Sequence, residues 1–566
     1  MDAATAMDAA LKTLQTPGHE PAAVCEALNR LAALAADEDD REEFDGQSDL
    51  LAAVVAALAA SQPESVRYEA LRVLGNVCVD NDQNRQQILD TPAALAALEI
   101  TLASDVPRLS RTSAIVLLNL ATEYEPAQAA IVEAGLVRPL VAATARPDIA
   151  QIALRVLNTV VSKDLAPARL PPATLAALTA VPQPDLLAQP TDTIGLLASL
   201  LALEPFVAEA LASPDNLQQL CVLGSALCAA PADAFEDEVD RDQQLAGLAA
   251  ALSEVSAADG YVAVVPLDHP VVRLWLDWLA GQDSYLRIIA CTFLGNLCTT
   301  DAASRRMVAE FGLHKVLLDM VRASNSPREL YSAIGVLKNL AVAPANRHPI
   351  VAAGPLDVFP KLLIRATSHI IGRLALGFLR LLLNDPTVDY VALRVELQRI
   401  FDRVLELYAE TDDVNLHIEI SRLVSTFART LVVTKPAHTL PAFFALPDDD
   451  VATMDRFLRP LYGVLLNTPD SPQADVLRGE AVFGLAIVSQ SLLGAETLYA
   501  VLDSPPEGLA GLPAKLLATK DNVRDNARVV VAGIIKARTR PDASLPDIRP
   551  EGPVMSLYRQ LLADVL

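Results

Sequence analysis

The feature that most constrains this chain is a passage it repeats. From Glu69 to Leu98 it reads EALRVLGNVCVDNDQNRQQILDTPAALAAL, an apolar helical run with an amide, Asn76, near its centre, then a polar turn, then a second apolar pattern. The same order recurs as RTSAIVLLNLATEYEPAQAAIVEAGLVRPLV around Asn119, RIIACTFLGNLCTTDAASRRMVAEFGLHKVLLDMV around Asn296 and LYSAIGVLKNLAVAPANRHPIVAAGPLDVFPKLL around Asn339. From Asn76 to Asn119 is 43 residues and to Asn158 a further 39; from Asn296 to Asn339 is again 43, and to Asn384 another 45. A short helix, a medium helix and a long amphipathic helix at a spacing of about 40–47 residues make the armadillo unit. Such units bury their apolar faces against one another in a line, so 566 residues need not divide into globular domains.

The expected fold is therefore all-α, an armadillo-repeat right-handed α-solenoid running continuously over residues 1–566. Residues 1–60 supply capping helices, 60–390 the clearest repeats, and 391–566 degenerate repeats with a terminal cap. Aromatics are only 4% of the chain, and Ala and Leu dominate, as in helices packed on helices. Gly135 and Gly354 fall where a left-handed residue ends a helix. Two acidic runs, ADEDDREEFDGQSD and ADAFEDEVDRDQ, read as solvated connectors, and the repeat phase between 159 and 290 stays open. Trp275 and Trp278 share a helix face, where packing between repeats is favoured over a ligand platform.

Composition narrows function. Seventy acidic against forty-five basic residues leave a formal charge of −25, which argues against nucleic acid and suits a basic partner. No apolar run reaches the eighteen or more residues of a bilayer span, and the first residues lack a basic-then-apolar leader, so a cytoplasmic protein without direct membrane insertion is expected. Six cysteines, mostly inside apolar helical runs, read as buried free thiols. No HExxH, phosphate-loop or G-x-S-x-G pattern occurs, and the histidines are scattered. The expectation is a non-enzyme with no cofactor and no metal.

Asparagine is a mediocre helix former, so its return at one repeat position calls for a reason. In a stacked array the long helices align along the concave side, and their amides form a ladder able to grip a polypeptide. The alternative, compatible with the first, is that each amide bonds a neighbouring helix and fixes the stacking. The candidate groove residues are Asn296, Asn339, Asn76, Asn119 and Asn158, joined by Asp80 and Glu123 four residues after the amide and Thr292 four before it.

The segments LGNVCVDNDQNRQQI, FLGNLCTTDAASRRMV and LKNLAVAPANRHPI resemble the repeats of SmgGDS-type armadillo GDP-dissociation stimulators of small GTPases. The resemblance covers roughly residues 60–160 and 285–365 and rests chiefly on VDNDQNR. It implies an exchange factor and chaperone for Rho- and Rap-type GTPases with polybasic, prenylated carboxyl termini. The groove would hold the basic tail and switch regions, with a prenyl group possible, and Asn296 and Asn339 would come first among its contacts. The rival is an armadillo adaptor or scaffold that binds linear peptides or other proteins without exchange activity. Nuclear-import adaptors place Trp one turn before the Asn; here Arg72, Ile115, Leu154, Thr292 and Gly335 stand there, against that variant.

Overall fold

The structure, a computed structural model, describes residues 3–16, 18–161, 174–180, 186–365, 369–434, 439–468, 471–518, 521–539 and 548–563. Much of the Pro-rich connectors LAPARLPPATL and AVPQPDLLAQP lies outside these residues. Every regular element described is a helix. Two compact units are present, Met1–Ile289 and Ala290–Leu566.

The first unit stacks the long helices α1 (Pro21–Leu34), α2 (Glu64–Val77), α3 (Pro107–Ala121), α4 (Ala150–Val160), α5 (Pro190–Leu201) and α6 (Glu238–Ala257), each packed on the next. After α7 (Ser284–Leu297), the second unit continues with α8 (Pro327–Val342), α9 (His369–Leu382), α10 (Val414–Thr434), α11 (Pro472–Val488) and α12 (Asp521–Arg538), again each packed on the next from α8 onward. Shorter helices such as Asp82–Asp90 and Ala94–Leu102 complete the repeats and carry the outer faces.

Local sequence explains the boundaries. Proline opens α1, α3, α5, α8 and α11 in the first turn, where its missing N–H has no intrahelical partner to lose. Gly135 and Gly354 adopt φ of +78° and +75°, the left-handed conformation between the short and medium helices. Ala93 takes the same place at φ +62° without the freedom of glycine.

Both acidic runs depart from expectation. Asp37 caps a short helix, Glu38–Glu42, accepting from the N–H groups of Asp39 and Asp40. Within it Arg41 donates from Nε to the Ala35 carbonyl (2.9 Å) and from Nη1 to the Val79 carbonyl (3.0 Å). The run is thus the first short helix of the array, tying the end of α1 to the end of α2. In the second run Asp237 caps α6, and Glu238 and Asp240 fall in its first turn, where the helix dipole favours negative charge.

Trp275 is fully buried in the helix Pro270–Ala280, its Nε1 3.4 Å from the Cys221 sulfur and its ring 6.3 Å from that of Tyr261. All six cysteines are free and only Cys25 is half-buried rather than buried. Burial pushes the thiols of Cys78, Cys221, Cys228 and Cys298 up to about 12. The reactive species is the thiolate, so alkylation at pH 8 is expected to label Cys25 alone in the native protein and all six after denaturation. Mass spectrometry reads this directly, and rapid native labelling at Cys221 would contradict the packing.

Candidate functional site

Burial repeats along the long helices with a fixed phase. In α2, Ala70 and Leu71 are buried, Arg72 is partly exposed, Val73 to Gly75 are buried, and Asn76 is partly exposed. The same phase aligns Asn76 with Asn119, Thr159, Ser199 and Glu254 in the first unit. One turn earlier lie Arg72, Ile115, Arg155, Gly195 and Ala250. In the second unit Asn296, Asn339, Leu381, Thr426 and Ile487 share the first position, and Thr292, Gly335, Gly377, Arg422 and Phe483 the second. These two rows form the ladder face of each unit.

The amides do not all have one role. Asn76 donates from Nδ2 to the Ala32 carbonyl of α1 (2.8 Å), and Asn119 to the Gly75 carbonyl of α2 (3.0 Å). In both, the preceding long helix lends a carbonyl and the amide fixes the stacking. The row above is tied as well: Arg72 donates to the Asn29 side chain (3.0 Å) and pairs with Glu69. Asn339, by contrast, is exposed.

Four placements correct the sequence reading. Asn158 sits one residue before its expected register, in line with Gly75, because the interval from Asn119 to the equivalent position is 40 residues, ending at Thr159. Leu154 is consequently core and Arg155 takes the row one turn earlier. The Asn158 amide faces α5, 3.4 Å from an Asp192 carboxylate oxygen, and lies where a Cβ on Gly195 would meet it at 2.7 Å. Burial pushes the Asp192 carboxyl above its usual range, while the Asn158 amide and Arg155 pull it back.

Asn384 lies past the end of α9 and Leu381 is the equivalent of Asn339. Asp80 and Glu123 do not continue the helical face either, because α2 ends at Val77 and α3 at Ala121. Both are exposed in equivalent turns with φ of +49° and +56°. Neither has an ion-pair partner among the described residues.

The motif VDNDQNR proves to be a helix-end clamp. The last carbonyls of a helix have no intrahelical donors. Asn84, fully buried, donates to the Val77 carbonyl (3.2 Å) and the Arg41 carbonyl (3.1 Å), and Arg85 donates to the Cys78 carbonyl (2.9 Å). In the second unit Asn346 donates to the Leu340 carbonyl (2.9 Å) and the Ser304 hydroxyl (3.2 Å). Its neighbour Arg347 donates to the carbonyls of Ala341 and Asn384, both at 3.0 Å. Arg347 thus spans the ends of α8 and α9 as Arg41 spans those of α1 and α2. The recurrence of Asn-Arg at 84–85 and 346–347 is the sequence signal for this role, since a buried amide and guanidinium at a helix end need carbonyl partners.

Charge is distributed unevenly. In the second unit Arg380 pairs with Glu419 (3.3 Å), Arg422 with Glu419 (3.4 Å) and Arg422 with Glu480 (2.8 Å), a self-neutralised network across α9, α10 and α11. In the first unit Glu254 on α6 and Glu204 beside α5 are exposed and have no ion-pair partner among the described residues. A recess of about 640 Å³ opens between them, walled by Ala198, Ser199, Ala202, Gly247, Ala250 and Ala251 among others.

Chemistry is sparse. Among the described residues no group of three or more His, Cys, Asp or Glu side chains is placed to hold a metal ion. No single described helix is long and apolar enough to cross a membrane.

No protein-family model and no curated protein matches this sequence. Solved structures do match. A chain from work on a phosphorylation switch controlling the interaction between cadherin and beta-catenin is 18% identical, with a TM-score of 0.57 over 93% of this chain and 99% of that one. An engineered protein is 19% identical with a TM-score of 0.37, covering 86% of this chain and 99% of its own. The class is an armadillo-like α-solenoid.

Proposed function

We propose that this chain is a binding regulator without chemistry of its own, which holds a basic partner protein on the ladder face of its solenoid. The observation that carries the reading is the set of exposed carboxylates on the first unit, Asp80, Glu123, Glu204 and Glu254, none of which has an ion-pair partner among the described residues; of the two cations on the ladder rows, Arg72 is already paired with Glu69, and Arg155 forms no ion pair among those residues. Such a face draws a Lys- and Arg-rich partner by long-range attraction and gives salt-sensitive association. The similarity to a chain studied for the cadherin–beta-catenin interaction is in keeping with a protein-binding role.

Within this class we favour a GDP-dissociation stimulator and chaperone for Rho- or Rap-type GTPases with polybasic, prenylated tails, working in the cytoplasm. The mechanism is linkage. A protein that binds the opened, nucleotide-free GTPase more tightly than the GDP form weakens GDP binding by the same factor, and a tenfold effect needs about 1.4 kcal/mol of differential contact. Asn339 and Asn296, with Thr292, belong to the second unit's face that would take the switch regions. The Asn-Arg clamps lend this reading no support, because their polar atoms are used inside the fold. An adaptor that binds the same basic surface without exchange is the alternative.

The test is release of labelled GDP from a panel of Rho, Rac and Rap proteins, prenylated and not. Catalytic amounts of the chain are expected to accelerate release from at least one of them at least tenfold, with the effect falling as salt rises. No acceleration across the panel, despite salt-sensitive binding, would leave the adaptor.

A further inference from the structure

Inside a helix glycine is the poorest residue apart from proline, so a glycine there wants a cause in the packing. For two of the four interior glycines of the first unit, Gly195 and Gly224, the cause is a close neighbour, and a Cβ on Gly75 would touch Val116 at an ordinary 3.5 Å. A Cβ on Gly195 would meet the Asn158 amide at 2.7 Å, and one on Gly224 would meet Leu252 at 2.9 Å. Gly247 is different. It lies in the middle of α6, its φ is not positive, and a Cβ there would meet nothing within 4 Å. The fold leaves this position empty and has no need of it.

Gly247 lines the recess between α5 and α6, whose volume falls in the usual range of about 300–1,000 Å³ for binding pockets. Its walls are small and mostly apolar. The charged side chains that line it are Glu204 and Glu254; no lysine or arginine does. We infer that this recess is a docking subsite for a lysine-rich segment of a partner protein, with one bulky apolar side chain seated against Gly247 and flanking lysines paired to Glu204 and Glu254. The charge fixes the partner's sign, and the alanine walls fix the need for a bulky group, since a small one would leave the cavity unfilled. This rests on the reading of the ladder face as a partner surface and names its most selective point.

The test uses the full-length chain and a dansyl-labelled peptide of alternating lysine and leucine, beside a lysine–serine peptide and a glutamate–leucine peptide of equal length. Gly247→Trp projects an indole from a position where a Cβ meets no neighbour within 4 Å, Glu254→Lys reverses a charge of the recess, and Gly247→Ala controls for the backbone. The lysine–leucine peptide is expected to bind with 1:1 stoichiometry, at least tenfold more tightly than either comparison peptide. That affinity is expected to fall at least tenfold in Gly247→Trp and in Glu254→Lys. Melting temperatures should stay at the wild-type value for these two and stay or rise for Gly247→Ala. Undiminished binding by Gly247→Trp overturns the proposal, and so does equal binding of the lysine–serine or glutamate–leucine peptide. Should Gly247→Trp melt early, the proposal is judged on Glu254→Lys and on the peptide ranking in the wild type. The outcomes separate from those of the GTPase panel. Peptide binding without GDP release keeps the recess and drops the GTPase, and GTPase binding indifferent to Gly247→Trp does the reverse.

Discussion

Replacing Asn84 with alanine is expected to lower the unfolding free energy by about 2–4 kcal/mol. Its amide is fully buried and serves two backbone carbonyls, of Val77 and Arg41, that belong to successive repeats. Each buried acceptor left without a donor costs about 1–3 kcal/mol. Asn84→Asp should be at least as harmful, because it keeps the shape, removes both donors and places acceptors against carbonyls. Urea denaturation of the two variants checks this. A loss below about 0.5 kcal/mol, the range of ordinary surface changes, would mean the clamp is dispensable. Asn346→Ala carries the same expectation in the second unit.

Trp275→Ala should cost more, about 3–5 kcal/mol, as truncation of a fully buried aromatic does. The ring fills the space between its own helix and Cys221, so removal opens a cavity and frees the thiol. Trp275→Phe should recover part of the loss. A ligand platform behaves otherwise: its tryptophan would be quenched readily by acrylamide, and its truncation would spare stability while weakening binding. Denaturation curves and quenching of the wild type together decide between the two.

These effects show where the sequence was readable. Helical periodicity identified the long helices, because each buries apolar residues against both its neighbours in a recurring phase, and glycine at 135 and 354 identified the left-handed joints. The acidic runs misled because charge density reads as solvation, while Asp37 and Asp237 use their carboxylates as caps and Arg41 turns inward. Asn158 misled because a one-residue offset in register moves a side chain by about 100° around the helix, from the ladder row to the contact with Gly195. Asp80 and Glu123 misled because counting four residues assumes the helix continues, and it does not. The exposed amide at Asn339 and the bonded ones at Asn76 and Asn119 share the pattern of a Leu two residues before the Asn and an apolar residue after it. What separates them is exposure and a carbonyl partner, which Asn76 and Asn119 find on the preceding long helix, a property of the stacking.

That distinction offers the most direct measurement. Asn339→Ala and Asn119→Ala are compared for melting temperature and for binding to a GTPase that responds in the release panel. The account predicts that Asn339→Ala weakens binding about tenfold, equal to about 1.4 kcal/mol, and leaves stability unchanged. Asn119→Ala should lose about 1 kcal/mol of stability, the worth of one hydrogen bond, and keep wild-type affinity. Wild-type binding by Asn339→Ala, or a melting temperature that falls along with its binding, would contradict the claim that the exposed amide of the second unit's ladder face meets the partner.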